Sequence, residues 1–189
     1  MAASDDVVSN TTGSTPSSTN TLKSDRRPLI AAGIVLGIGQ AGFFDGIVFH
    51  QLLQWHHMFS GVKTDATIAG LKLNTIGDGL FHAFDWLMTL LGIFLLWRAG
   101  KRIEVPWSAP AFVGSLLIGC GAFNLVEGII DHQILGIHHL KPGPNELAYD
   151  IGFLASGVLL AGVGWVILLM FDHKHQPDYG EGGRRHSLK

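Results

Sequence analysis

The chain is poor in the residues that build several common kinds of site. Among 189 residues it has one cysteine, Cys120, which excludes an internal disulfide and a thiolate metal cage. Charged residues make up only 15%, and the formal net charge is −2, so no basic stripe points to nucleic acid. There is no glycine-rich phosphate loop, no Ser/His/Asp order and no nucleophile elbow. So little charge, with a mean hydropathy of +0.31, is too apolar for an ordinary soluble domain of this size.

Four apolar stretches, 29–55, 76–97, 108–130 and 147–171, carry that hydropathy. A bilayer core of roughly 30 Å takes about 20 helical residues, and each stretch reaches that length. A soluble bundle would show a polar stripe on every helix, and the inner halves of these have almost none. The pattern predicts an all-α fold, an integral membrane four-helix bundle over 28–172. Residues 1–27, rich in Ser, Thr, Asn and Asp, read as a disordered cytoplasmic tail leading into an uncleaved signal anchor, and 173–189 as a second tail.

Lysine and arginine counts predict the orientation. Ten of the thirteen flank one side: Lys23, Arg26 and Arg27, then Arg98, Lys101 and Arg102, then Lys174, Arg184, Arg185 and Lys189. The other side has only Lys63, Lys72 and Lys141. Both termini are therefore expected in the cytoplasm, with Trp97 and Trp107 at the inner interface and Trp55 at the outer one.

The chain also repeats itself. DGIVFHQLLQWHH at 45–57 returns as EGIIDHQILGIHH at 127–139, a constant offset of 82 residues. Asp45 becomes Glu127, while His50, His56 and His57 become His132, His138 and His139. A fixed-period match marks a duplicated supersecondary unit, here a tandem, parallel repeat of helical hairpins over about 28–98 and 107–172. Asp78 aligns with Asp150 near the starts of helices two and four, but helix four has no counterpart of His82 or Asp85. Packing explains repeated apolar residues; it has no need of repeated imidazoles.

A rise of 1.5 Å per residue puts Asp45 about 24 Å along helix one, in the outer leaflet. Asp78, His82 and Asp85 fall within roughly the first 14 Å of helix two on the same side. Glu127, Asp131 and His132 end helix three there, and Asp150 opens helix four. At about 100° per residue, Asp45 and His56 share a face, as do His50 and His57, and the second copy repeats the relation if its helix persists that far. Intramembrane ionisable groups are costly and mark functional sites by default.

Three readings follow. Imidazole with carboxylate and no thiolate suits a transition metal: Zn²⁺, Fe, Mn or Cu²⁺. His50, His82 and His132 are the foremost expected ligands, with Asp45, Asp78 and Glu127 as ligands or orienting groups. His56, His57, His138 and His139 would form a second, shallower site or an access route. Haem between facing helices ranks behind this, because axial ligation uses few of these residues. A cofactor-free polar network or proton relay is the third reading; against a relay, no ionisable group continues through the inner halves. The close glycine spacings Gly33/Gly37 and Gly42/Gly46 read as helix packing.

The blocks GFFDGIVFHQLLQWHH, DGLFHAFDW, FNLVEGIIDHQILGIHH and YDIGFLA, in that order over about 29–171, resemble a family of small bacterial multi-pass membrane proteins of unknown function. The resemblance implies a four-helix protein of the bacterial inner (plasma) membrane in contact with the lipid bilayer. It also implies a respiratory-oxidase assembly partner, a setting that would suit metal handling. The histidines are loosely similar to the boxes of membrane desaturases and hydroxylases, but the spacing His50-x5-His56-His57 departs from theirs.

Overall fold

A computed structural model describes residues 24–172, with the side chains of 171 and 172 left aside. The expected tails lie almost entirely outside the described residues, as do Lys23, Lys174, Arg184, Arg185 and Lys189. The helices are α1 (Arg27–Asp45), α2 (Ile68–Gly100), α3 (Ala109–Glu127) and α4 (Glu146–Asp172), and the described residues include no strand. Each start follows from local chemistry. Pro28 and Pro110 sit in first turns, where a missing N–H costs nothing. The hydroxyls of Thr67 and Ser108 accept from the Gly70 and Ala111 amides, at 3.1 and 3.3 Å.

α1 and α3 do not end as α-helices. Each widens directly after its carboxylate into a seven-residue π-helical segment, Gly46–Leu52 and Gly128–Ile134. Each segment closes in the same way, with Leu53 N–H donating to Val48 O and Leu135 N–H to Ile130 O, both at 2.8 Å. A left-handed residue follows in each: Gln54 (φ 49°) and Gly136 (φ 57°), again 82 positions apart. The chain then folds back over the helix end. The expected helical continuation to His56 and His138 is therefore replaced by a reversal.

The helices pack as a row rather than a closed ring. α1 lies between α2 and α3, and α4 lies on the far side of α3; no Cα pair within 8 Å joins α2 to α3, α2 to α4 or α1 to α4. The central pair can approach because their facing residues are small. A methyl group at Gly37 would overlap the Leu116 carbonyl, and one at Gly119 the Ile34 carbonyl. Dispersion over that backbone contact, without a hydrophobic drive, is what holds helices together in lipid. The outer helices turn long apolar side chains outward, among them Leu80, Trp86, Leu90, Val158, Leu159 and Trp165. In water such a surface would aggregate; against acyl chains it is solvated.

All four helices are long and apolar enough to cross a bilayer. Cation–aromatic pairs stand at both ends: Lys101 lies 3.7 Å from the Trp97 ring centre, and Lys141 lies 4.7 Å from that of Trp55. α2 is 33 residues long, about 50 Å, more than a bilayer core of roughly 30 Å requires, and the 53–67 loop leads into its first turn. Asn74, fully buried, ties that loop down: its amide donates to the Lys63 and Gly70 carbonyls and its oxygen accepts from Phe59 N–H.

Candidate metal centre

The π-helical segments decide where the first histidines point. Five residues apart on an α-helix, Asp45 and His50 would sit about 140° from one another. Hydrogen bonding from i to i+5 sets a residue over the one five places earlier, and His50 Nε2 comes within 3.3 Å of Asp45 Oδ2. Glu127 and His132 repeat the arrangement, with Nε2 3.1 Å from Oε1.

The second histidines arrive from the returning loops, not from the helix faces. His56 and His138 stack on each other, their centroids 4.7 Å apart and planes within 5°. His56 also meets His50 edge-on at 4.3 Å, and His138 meets His132 at 4.9 Å. One ligand-capable atom from each of His50, His56 and His138 lies within 4.8 Å of the others, and the same holds for Glu127, His132 and His138. The four rings form one cluster at the junction of α1 and α3. His56 and His138 belong to that cluster, while His57 and His139 lie at its partly exposed rim.

The other face of each ring is held. His50 Nδ1 lies 2.8 Å from Asp78 Oδ1, and His132 Nδ1 lies 3.1 Å from Asp150 Oδ1. His56 Nδ1 donates to the Leu140 carbonyl at 2.8 Å, and His138 Nδ1 to the Met58 carbonyl at 3.1 Å. Each loop thus braces a histidine of the other copy. Asp78 and Asp150 also accept from the Met58 and Leu140 amides, at 2.8 and 2.9 Å, and from His57 and His139 Nδ1, both at 2.7 Å. Asp78 and Asp150 therefore orient imidazoles, and His57 and His139 complete their shells from the partly exposed rim. Phe81 and Phe153 lie over His50 and His132.

His82 stands apart. It stacks on Phe43 at 6.0 Å and faces Asp85 at 3.7 Å. Asp85 is fully buried beside Gly42 and neither of its oxygens has a hydrogen-bond partner. In the other copy the polar group comes from the opposite helix: Asn124 on α3 donates to Ser156 at 2.9 Å, beside Gly157.

Burial acts on His56, which lies in a loop outside the helical spans. Loss of water, reinforced by the neighbouring His50 and His138, lowers its pKa from 6.5 to about 2. The ring stays neutral, with its Nε2 lone pair free and without a partner.

Of the residues expected from sequence, Asp45, His50, His56, Glu127, His132 and His138 are brought together; Asp78, His57 and His139 stand behind them, and His82 is separate. The Met58 and Leu140 carbonyls went unforeseen, since backbone groups leave no mark in composition. Asp150 had one signal, its alignment with Asp78.

Four apolar spanning helices and a polar cluster at one end define a small multi-pass membrane protein. The chain matches, over residues 32–170, the family described as "Predicted membrane protein (DUF2243)", and it belongs to that family. No curated protein and no solved structure matches it.

Proposed function

We propose that this protein binds a transition-metal ion at the His50/His56/His132/His138 cluster, with Asp45 and Glu127 as carboxylate donors. One observation carries the reading. Three of the four Nδ1 atoms are hydrogen-bonded, to Asp78, Leu140 O and Met58 O, and His132 Nδ1 lies 3.1 Å from Asp150 Oδ1 without forming a hydrogen bond, which leaves Nε2 of each ring to the interior. Metal-ligating histidines are held in this way, the far nitrogen bonded to a carboxylate or carbonyl that sets tautomer and angle. A merely structural polar network would pair every inward nitrogen; His138 Nε2 does pair with Glu127 Oε1, but His56 Nε2 and His132 Nε2 have no hydrogen-bond partner. Nitrogen and oxygen donors without sulfur favour Zn²⁺, Fe, Mn or Cu²⁺.

Haem is less well supported, because the rings touch one another directly and leave no slab for a macrocycle between them. The lysine and arginine distribution supports both termini in the cytoplasm and the cluster near the outer surface, and the family resemblance supports a place in the bacterial inner membrane. There it would take up or pass on metal outside the cytoplasm, in keeping with a partner in respiratory-oxidase assembly. Metal analysis of the purified protein with an absorption spectrum tests this. Stoichiometric metal that is lost in a His50/His132 double substitution supports the reading; an intense band near 410 nm, as haem gives, overturns it, as does a protein that takes up no metal.

A further inference from the structure

We infer that the groove between α2 and α3 binds a bilayer-dissolved molecule with an apolar body and a phenolic hydroxyl head, which Asp131 and Glu127 accept. Bound metal is not required for this, because the groove is built around an acid that the metal centre leaves unused. Asp131 lies inside the span Ala109–Ile134, and its carboxylate makes no hydrogen bond or ion pair with any described residue. Only its backbone is engaged, the carbonyl accepting from Ile137 N–H at 3.0 Å. Ionisable groups inside a span are costly and mark function by default. The repeat sharpens the point. At the positions 82 residues earlier the first copy has Phe49 for Asp131 and Phe44 for Val126, so packing there is served by aromatic rings.

Asp131 lines a cavity of about 370 Å³. α2 and α3 do not pack on each other, so a space stays open between them, with Ile38 of α1 behind it. Phe81 and Phe84 come from the α2 side, and Phe123 and Val126 from the α3 side. Phe84 and Val126 are exposed on the outer surface of the helix row, so the mouth opens sideways, where acyl chains would lie. Glu127, 7% exposed, is the second acid of the lining; its Oε1 faces His132 and His138, and its Oε2 has no hydrogen-bond partner.

The lining thus holds two carboxylates and no lysine or arginine, acceptors without donors. An occupant has to bring the donor. A neutral hydroxyl suits a route through lipid, where an ammonium would have to shed its water. Three phenyl rings offer faces and edges to an aromatic body, which a phenol carries directly beneath its hydroxyl. Apolar walls with a few polar anchors, at this volume, are the make-up of small-molecule sites. A hydroquinone whose apolar tail trails into the bilayer meets each requirement. Glu127 belongs to both sites, so such an occupant stands one side chain away from the imidazole cluster.

Calorimetry on the full chain in lipid nanodiscs, without oxygen, tests this with decylhydroquinone, its oxidised quinone and decylbenzene. Decylhydroquinone should bind saturably, one per chain, and the two probes that lack the donor about 10- to 100-fold more weakly. Asp131→Asn keeps the shape and removes the charge, and should weaken hydroquinone binding about tenfold. Val126→Phe, which fills the groove with the ring that the first copy has at Phe44, should weaken it by about tenfold or more. Thermal melts confirm the fold, and Asp131→Asn keeps the test open if Val126→Phe fails to fold. Equal affinity for the three probes would make the groove a plain lipid slot, and dodecylammonium displacing the hydroquinone would make it a cation site. Either overturns the inference, as does the absence of saturable binding or unchanged binding in both variants. Zn²⁺ uptake, titrated separately, should be the same in Asp131→Asn as in wild type. A protein that takes up Zn²⁺ but no hydroquinone loses this site alone; one that binds hydroquinone but no Zn²⁺ keeps it and loses the metal centre.

Discussion

Asp78 holds two histidines at once, with Oδ1 2.8 Å from His50 Nδ1 and Oδ2 2.7 Å from His57 Nδ1. Asp150 bonds His139 Nδ1 at 2.7 Å and lies 3.1 Å from His132 Nδ1, there without a hydrogen bond. One carboxylate per hairpin therefore couples a buried imidazole to one at the rim and anchors the loop between them. An orienting acid differs from a ligand in what its loss does. Asp78→Asn should lower metal affinity about 10- to 100-fold without abolishing it, the usual effect of removing a group behind the ligands. Calorimetric titration checks this; complete loss of binding would make Asp78 a ligand.

Asp85 carries the opposite expectation. A buried carboxylate without a hydrogen-bond partner, with only His82 Nδ1 at 3.7 Å, is costly in an apolar setting, and its near-isosteric amide removes the charge while keeping the shape. Asp85→Asn should stabilise the protein by on the order of 1 kcal/mol, roughly 2–4 °C in thermal midpoint for a chain of this size, with metal stoichiometry unchanged. A lower midpoint or lost metal would place Asp85 in the functional machinery.

The long apolar runs made the four spans legible, and the 82-residue offset picked out Asp45, Glu127 and the histidines as a set. The widened turns at Gly46–Leu52 and Gly128–Ile134 were not, since no residue type commands i→i+5 bonding. That one departure displaced the angular reading, which set Asp45 beside His56 on a continuous helix. Roles were also hidden: whether a histidine is a ligand or a brace depends on which nitrogen meets which acceptor. For His56 and His138 that acceptor is a backbone carbonyl from the other copy.

The two left-handed positions offer a backbone test free of side-chain contact. Nothing lies within 4 Å of a methyl group placed on Gly136, so Gly136→Ala feels only its φ of 57°. It should cost about 1 kcal/mol, and Gln54→Gly at the matching site should cost little or gain a few tenths. Thermal melts of both variants decide it; equal effects would mean the two turns are not equivalent in the folded chain.

Acid should loosen the metal-free protein through His56. Its pKa is held at about 2 in the fold, against 6.5 unperturbed, so below pH 6.5 the unfolded chain binds a proton that the folded one does not. The linked contribution to stability is full above pH 6.5 and declines as pH falls from there toward 2. Melting midpoints of wild type and His56→Phe, measured from pH 7.5 down to 4.5, should converge as acid is added. A parallel decline in both would show that other groups govern the acid limb.

X-ray absorption at the zinc edge, on purified protein loaded with one equivalent of Zn²⁺, addresses the inward-facing imidazoles most directly. The account predicts nitrogen and oxygen neighbours at about 2.0–2.1 Å with outer-shell imidazole scattering that diminishes in His56→Gln. A shell without imidazole scattering, or one that His56→Gln leaves unchanged, would contradict it.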